Sequence, residues 1–499
     1  MLKERTKIEY ILLFIYSFVT KFFVSINSIR YSEVFTDSDQ AIFFSIGKAM
    51  LNGKVLYKDV FDHKTPYIYF FNAFAAIFEK NHIGLFILEV IILTTILIFL
   101  YKIAKQFISN ERAIICSLLF GIILSIPEIT FGYSRTEMYA LAFIMPALNL
   151  FSKYFLSSDG EKYNYLHMFV IGILASLVLM TNIRAVVILV PFAIALLIKL
   201  IKEKRYKAIA MLFIAGILGV IITIVPYIIY AILTDSVNDA IYAIFTTNIN
   251  YAKSNVSTTE NVLSMAIRFI SQHSVFFVFT FLSFPAWFLL RLDFKLKISI
   301  IISFMMVFIY VVFSYKTNVY YLVILMPYIL SLYFLFSRFI DKIKHLIKLP
   351  VVILVAVVSL LLNIYLNRTI NIRYANCYNR ASRINKVIEN NFENKEKVKV
   401  LSYGFNPEVY IYTGGEVDYK YFIIPNVSYK VDPTAYDAQY NYILSQDPDI
   451  VVYANSATGS NMPTAKFDRI RYTLSTSYRL ADEFKTNDFT GTFYIFVKS

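Results

Sequence analysis

Between two apolar stretches the chain reads YSEVFTDSDQAIFFSIGKAMLNGKVLYKDVFDHKTPYIYFF, from Tyr31 to Phe71. This stretch places Asp37, Asp39, Asp59, Asp62, His63 and Lys64 in an otherwise greasy sequence. Asp37-Ser38-Asp39 precedes QAIFFSIGKAML, whose apolar residues recur at helical spacing, so the aspartates stand near a helix N-terminus. Capping that helix occupies one carboxylate and leaves the second unexplained. A carboxylate so placed can take the proton of an attacking hydroxyl. The pair could also hold a divalent cation, although two aspartates alone are a weak metal signal.

Four basic residues, Lys64, Arg135, Arg184 and Lys316, stand at or beside the ends of apolar segments. Taken singly, each reads as a side chain snorkelling to the headgroups. Taken together beside an acidic loop, they suit the phosphate or pyrophosphate at the head of a lipid. Glu128 and Glu137 flank PEITFGYSRTEMYA, and Glu137 opens an apolar segment, where an ionisable group is costly and by default functional.

The elements that must carry these groups are membrane helices. The chain has 499 residues, 58% hydrophobic and 16% charged, with a mean hydropathy of +0.59. Soluble proteins run about 45–50% apolar and about 25% charged. The apolar run after MLKERTKIEY holds Lys21 and lacks a small-residue cleavage site, so it reads as a retained first span. A bilayer core takes about 20 helical residues, and that ruler gives eleven spans, near 9–27, 83–104, 113–127, 138–156, 164–181, 185–201, 208–232, 274–290, 298–314, 319–337 and 350–366. The piece 66–79 is too short to cross and reads as re-entrant or interfacial.

Lys and Arg gather at the N-terminus and in alternate loops, including KLIKEKRYK, RLDFKLK and RFIDKIKHLIK. That side is the cytoplasm by the positive-inside rule. The net charge of +14 is then mostly a topology signal and not a nucleic-acid footprint. Segments 28–82, 128–137, 182–184, 233–273, 315–318 and all that follows about 367 fall outside the cytoplasm. The chain thus divides into a membrane domain, 1–366, and an extracytoplasmic domain, 367–499. In the latter VKVLSYG, EVYIYTG and PDIVVYA read as strands and ASRINKVIENNF as a helix, a small α/β arrangement without a catalytic constellation. Within 233–273, NDAIYAIFTTNINYA reads as an amphipathic helix in the outer interface and a candidate lid. Cys116 and Cys377 lie in regions of different character and are not expected to pair.

The first outer loop resembles that of the GT-C superfamily, integral-membrane glycosyltransferases that take sugar from a polyprenyl-phosphate carrier. It is most similar to the bacterial branch of protein O-mannosyltransferases and aminoarabinose transferases. The elements are Asp39, then Gly47, then NGKVLYKD (Asn52 to Asp59), then DHKTP (Asp62 to Pro66). Looser matches are SRTEMYALAF, TNVYYLVILMPYIL, with Tyr320 where His is often found, and KVKVLSYGFNPEVYIYTGG.

The resemblance implies a polytopic helical membrane protein with a small C-terminal α/β domain. It implies Asp39 as catalytic base, with Asp37 second. Lys64 would bind the donor phosphate, with Arg135, Arg184 and Lys316 as further partners, and Tyr57, Asp62, His63, Glu137, Tyr320 and Tyr321 would line the substrate site. Any metal would be a divalent cation on Asp37 and Asp39; no other cofactor is implied. The expected partners are a polyprenyl-phosphate sugar, an envelope glycan, lipid or protein acceptor, and the bilayer itself, without nucleic acid.

The residues fit that chemistry independently. Cations stabilise a leaving phosphate, a carboxylate deprotonates the acceptor, and a site outside the cytoplasm has no nucleotide sugars to use. The alternatives are a polysaccharide polymerase or ligase using a lipid pyrophosphate, a lipid-glycan flippase or other transporter, and a scaffold whose aspartates only cap helices. Transporters carry charge near the bilayer midplane, where this chain has mainly Lys21 and Glu89.

Overall fold

Inside a bilayer every backbone polar group must be satisfied within its own segment, so long apolar runs fold as helices. Each of the eleven expected spans coincides with a helical segment in the computed structural model. The structure describes residues 2–31, 38–78, 83–130, 132–156, 163–256, 262–290, 292–313, 318–339, 349–393, 398–403, 407–412, 417–425, 427–454, 462–486 and 489–499.

Among the described residues, six helices are long and apolar enough to cross a membrane: Ile83–Ala104, Thr136–Leu156, Ile183–Lys202, Tyr206–Leu233, Phe294–Val312 and Val319–Ser337. The number rises to eight if two broken pairs each count as one span. Eleven full spans were expected; Asn110–Ile123 has 14 residues and Tyr165–Leu179 has 15, which at about 1.5 Å per residue falls short of a bilayer core. The helix at the expected non-crossing piece, Tyr67–Ala76, has only 10 residues. The chain is a multi-pass membrane protein.

The chain forms two compact units. The first comprises Met1–Val24, Glu89–Tyr227 and Thr259–Arg368 and is built of helices. One close crossing is made by glycines: a Cβ placed on Gly172 would sit 2.2 Å from the Gly216 carbonyl oxygen, and one on Gly219 would sit 2.1 Å from that of Phe169. Small residues let backbones approach where lipid supplies no hydrophobic drive to associate. Val262–Gln272 meets Ser274–Leu289 at 97° around His273. The expected span 319–337 is broken into short 3₁₀ and α turns, with Pro327 at the start of one of them. The two charges noted inside spans are partners, Lys21 Nζ lying 3.2 Å from Glu89, with both side chains buried.

The second unit gathers Ser25–Leu88, Ile228–Thr258 and Thr369–Ser499, three stretches far apart in sequence. Its sheet has the order β1-β2-β4-β3, with β1 Val400–Tyr403, β2 Ile450–Ala454, β3 Tyr478–Thr486 and β4 Phe489–Lys498. β1 runs parallel to β2, and the other neighbours are antiparallel. VKVLSYG and PDIVVYA become β1 and β2 as expected, and ASRINKVIENNF lies in the longer helix Ile370–Asn391.

EVYIYTG, read as a strand, is instead a helical turn, Val409–Tyr412. Its successive residues Val409 and Tyr410 are both buried, and the Tyr410 hydroxyl ties the Ser402 amide to the Phe422 carbonyl. A strand would have turned the two to opposite faces of a sheet.

Polar contacts stitch the three stretches of this unit together. The Phe61 amide donates to the Lys420 carbonyl (3.0 Å), Lys54 pairs with Asp418 (2.8 Å), and Lys420 pairs with Asp239 (2.5 Å). Tyr31 stacks on Tyr374 with centroids 3.8 Å apart.

Candidate functional site

In the second unit the acidic motif opens the helix Ser38–Leu51, with Asp39, half-buried, in its first turn. A carboxylate there is favoured by the helix dipole. Asp37 lies outside the described residues, as does Lys316.

One residue on, Gln40 is buried and its amide donates to Asn72 Oδ1 (2.5 Å) on the helix Tyr67–Ala76. The two helices touch backbone to backbone. A Cβ on Gly47 would lie 2.4 Å from the Ala73 nitrogen and 2.6 Å from the Asn72 carbonyl carbon. Gly84 presses on the same short helix, where a Cβ would lie 1.9 Å from the Ala75 oxygen.

Between those helices NGKVLYKDVFDHKTP is wound into a tight loop. Gly53 takes φ +87° to end the first helix, the conformation a helix terminus favours. Asp59 accepts from the Val55 amide (2.7 Å) and the Tyr57 amide donates to the Val60 carbonyl (2.8 Å). Tyr57 itself sits at φ +67°, an outlier for a bulky residue that only strong surroundings sustain.

Those surroundings are the Lys64 backbone. The buried Tyr57 hydroxyl donates to the Lys64 carbonyl (2.6 Å). The Tyr69 hydroxyl accepts from the Lys64 amide (3.1 Å) and donates to Asp62 (2.7 Å). Both main-chain polar groups of Lys64 are therefore held, while no carboxylate of the described residues lies within ion-pair reach of its ammonium.

Asp62 is 2% exposed, and His63 Nδ1 lies 3.0 Å from its other oxygen. Burial pushes the Asp62 carboxyl up, but the charges of His63 and Lys64 and the Tyr69 hydroxyl outweigh it and hold the pKa down at about 2. His63 is fixed in turn by Asn248, whose amide donates to the His63 carbonyl (2.7 Å), and by Tyr251, whose ring lies 5.7 Å away.

The first unit brings together a second group of the predicted residues from three separate loops. Glu137 is buried in the first turn of Thr136–Leu156. It accepts from the Asn182 amide and from the Thr136 hydroxyl, each at 3.1 Å. Asn182 leads the 3₁₀ turn Ile183–Ile188, which carries the exposed Arg184 with its guanidinium 5.8 Å from the Tyr310 ring centre.

Arg135 lies between aromatic faces, 5.1 Å from Tyr133 and 4.2 Å from Tyr320. Tyr320 and Tyr321 meet edge to face at 4.9 Å, and Asn318 donates to both hydroxyls. Guanidinium planes stack on rings while keeping donors for a phosphate. The backbone just before Arg135 is anchored: the Ser134 amide donates to Glu89 (3.3 Å), the same carboxylate that faces Lys21.

The predicted residues thus fall into two groups: Asp39, Tyr57, Asp62, His63 and Lys64 in the second unit, and Arg135, Glu137, Arg184, Tyr320 and Tyr321 in the first. Sequence reasoning missed Tyr69, Asn182, Asn248 and Tyr310. Asn182 and Tyr69 could have been found, since they stand two residues before Arg184 and five after Lys64; Asn248 and Tyr310 make sense only through contacts distant in sequence. Among the described residues no group of three or more His, Cys, Asp or Glu side chains converges as a metal site would. Cys116 and Cys377 are buried and not bonded to one another.

The fold matches solved structures over nearly its whole length. It is similar to ArnT from Cupriavidus metallidurans bound to undecaprenyl phosphate, with a TM-score of 0.62 and 12% identity over 98% of this chain and 97% of that one. It is also similar to the apo state of that protein, with a TM-score of 0.59 and 10% identity over 99% and 98%. The GT-C resemblance read from the first outer loop therefore holds at the level of the fold. No curated protein sequence matches the chain. The family profile described as "Putative competence-induced protein Ccs4 N-terminal domain" matches residues 3–348. The chain belongs to that competence-induced Ccs4 family and folds like a GT-C membrane glycosyltransferase.

Proposed function

We propose that the protein is a membrane glycosyltransferase of GT-C type, moving a sugar from a polyprenyl-phosphate donor to a cell-envelope glycan, lipid or protein outside the cytoplasm. The observation that carries this reading is Lys64, whose main chain is clamped by two tyrosine hydroxyls while its ammonium has no ion-pair partner among the described residues. A cation whose main chain is set before its anion arrives costs less reorganisation when charge develops on a leaving phosphate. Within the first unit, the stacked Arg135 and the exposed Arg184 are cations of the same chemical kind, suited to a phosphate. Asp39, at a helix start, is the base that takes the acceptor proton as the hydroxyl attacks the anomeric carbon, and single displacement inverts that centre. The fold likeness to ArnT, solved with undecaprenyl phosphate, supports a lipid-phosphate donor.

The test is single-turnover transfer from a panel of radiolabelled polyprenyl-phosphate sugars to envelope extract by purified protein. Asp39→Asn and Lys64→Ala should each lose about 10²-fold or more while eluting as folded protein. Undiminished transfer by Asp39→Asn removes it as the base. Absence of transfer from every donor, with lipid-linked glycan scrambled across vesicles instead, favours the flippase.

A further inference from the structure

The segment after the span Tyr206–Leu233 is one helix in three stretches: Val237–Ile241, the π turn Tyr242–Thr246, and Thr247–Val256. One side is bound into the second unit. Lys420 pairs with Asp239 (2.5 Å), Tyr242 and Asn250 donate to Asp432 (2.7 and 3.3 Å), and Asn248 donates to the His63 carbonyl. Ala240, Ala243 and Thr247 are buried beneath.

The other side exposes Val237, Ile241, Phe245 and Ile249, 40 to 55% accessible and each four residues from the last. In a regular α-helix such positions drift by about 40° per step, leaving Val237 and Ile249 roughly 120° apart. The wider π turn in the middle absorbs an extra residue and swings the second pair back toward the first. The sequence has thus spent an irregular turn on keeping four apolar side chains on one face.

We infer that this face is buried in the outer acyl–headgroup boundary of the bilayer, with the helix lying in the membrane plane. Its occupant is lipid for a reason of continuity. Only Thr234–Ser236 separate the stripe from Ile232 and Leu233, exposed apolar residues that end the 28-residue span helix Tyr206–Leu233. An apolar stripe leaving the membrane at that point meets acyl chains before any soluble partner. Lys253, exposed just beyond the stripe, is suited to reach the headgroups. The inference does not depend on the proposed transfer reaction.

Site-directed tryptophan fluorescence tests it directly. The chain has one Trp, so Phe245→Trp and Ile249→Trp, on the stripe, and Thr246→Trp, exposed beside it, are placed in a Trp287→Phe background. If that background does not fold, the same three are read as differences from the parent. In nanodiscs of phosphatidylcholine brominated on its upper acyl carbons, the two stripe residues should lose about half of their emission relative to unbrominated lipid. Thr246→Trp should keep its emission and be quenched by acrylamide. Two results overturn the inference. Stripe residues quenched by acrylamide and not by bromolipid would face water; stripe residues shielded from both would be covered by protein, a second copy included.

Discussion

Gly47 is the position where a single methyl group tests the geometry most sharply. A Cβ there would stand 2.4 to 2.9 Å from the Asn72 and Ala73 main chain, and ordinary contact begins at 3.4 Å. The neighbours are backbone atoms of a helix, so no rotamer change can relieve the clash. Gly47→Ala must therefore part Ser38–Leu51 from Tyr67–Ala76 by about 1 Å, given that Gly84 blocks retreat of the second helix with its own close contact. One helix begins with Asp39, and the other carries Tyr69, which holds Lys64 and Asp62. Overpacking of this kind costs about 1–3 kcal/mol, and a shift of about 1 Å in a reacting constellation costs up to about 10²-fold in rate.

Gly53→Ala is the control. Its φ of +87° disfavours a side chain by about 1–2 kcal/mol, yet nothing lies within 4 Å of the added carbon. Both variants should melt lower than the parent, and only Gly47→Ala should transfer about 10²-fold more slowly in single turnover at saturating donor. Equal transfer rates for the two variants, at comparable stability, would refute the claim that this helix contact sets the site.

Other expectations follow from named contacts. Asp62 is depressed from its ordinary 3.8 to about 2, so its charge contributes roughly 2 kcal/mol of stability that is present above pH 3.8 and lost as pH falls through about 2. Asp62→Asn should accordingly melt lower than the parent near neutrality, and the gap should close across that acid window. Glu89→Gln strands Lys21 in a buried site and should cost about 3–5 kcal/mol in denaturant unfolding. The double change Lys21→Met, Glu89→Met should recover much of that loss, while Ser134 still loses its acceptor.

The helical segments were legible because bilayer thickness imposes a length and a composition that are printed directly in the sequence; Ile83–Ala104 falls where 83–104 was read. The breaks were not: Pro146, Pro226 and Pro285 sit inside helices while the chain fragments around Pro327, and the bend at His273 falls where there is no proline. The same division holds for the sheet. β1 and β2 carry plain apolar strand runs, whereas the β3–β4 hairpin went unread, and Val409–Tyr412 has strand-like residues packed as a turn. At the site, charge in a greasy chain pointed to Asp62, His63 and Lys64, because such groups are expensive to place there. The tyrosines and asparagines that orient them leave no such mark, since Tyr69 and Asn248 look like any other member of an apolar or amphipathic helix.

The second unit's interlaced connectivity has a consequence in time. A ribosome delivers Ser25–Leu88 first, and the closing stretch from Thr369 follows only after roughly 280 further residues. At about 5–20 residues per second that is an interval of roughly 15–55 s. Throughout it Phe61 lacks Lys420, and Lys54 lacks Asp418. The loop that presents Lys64 is thus among the first parts made and among the last completed. Chains halted before the C-terminal stretch emerges would be inserted but unfinished, and a quality-control protease would find its substrate in that window.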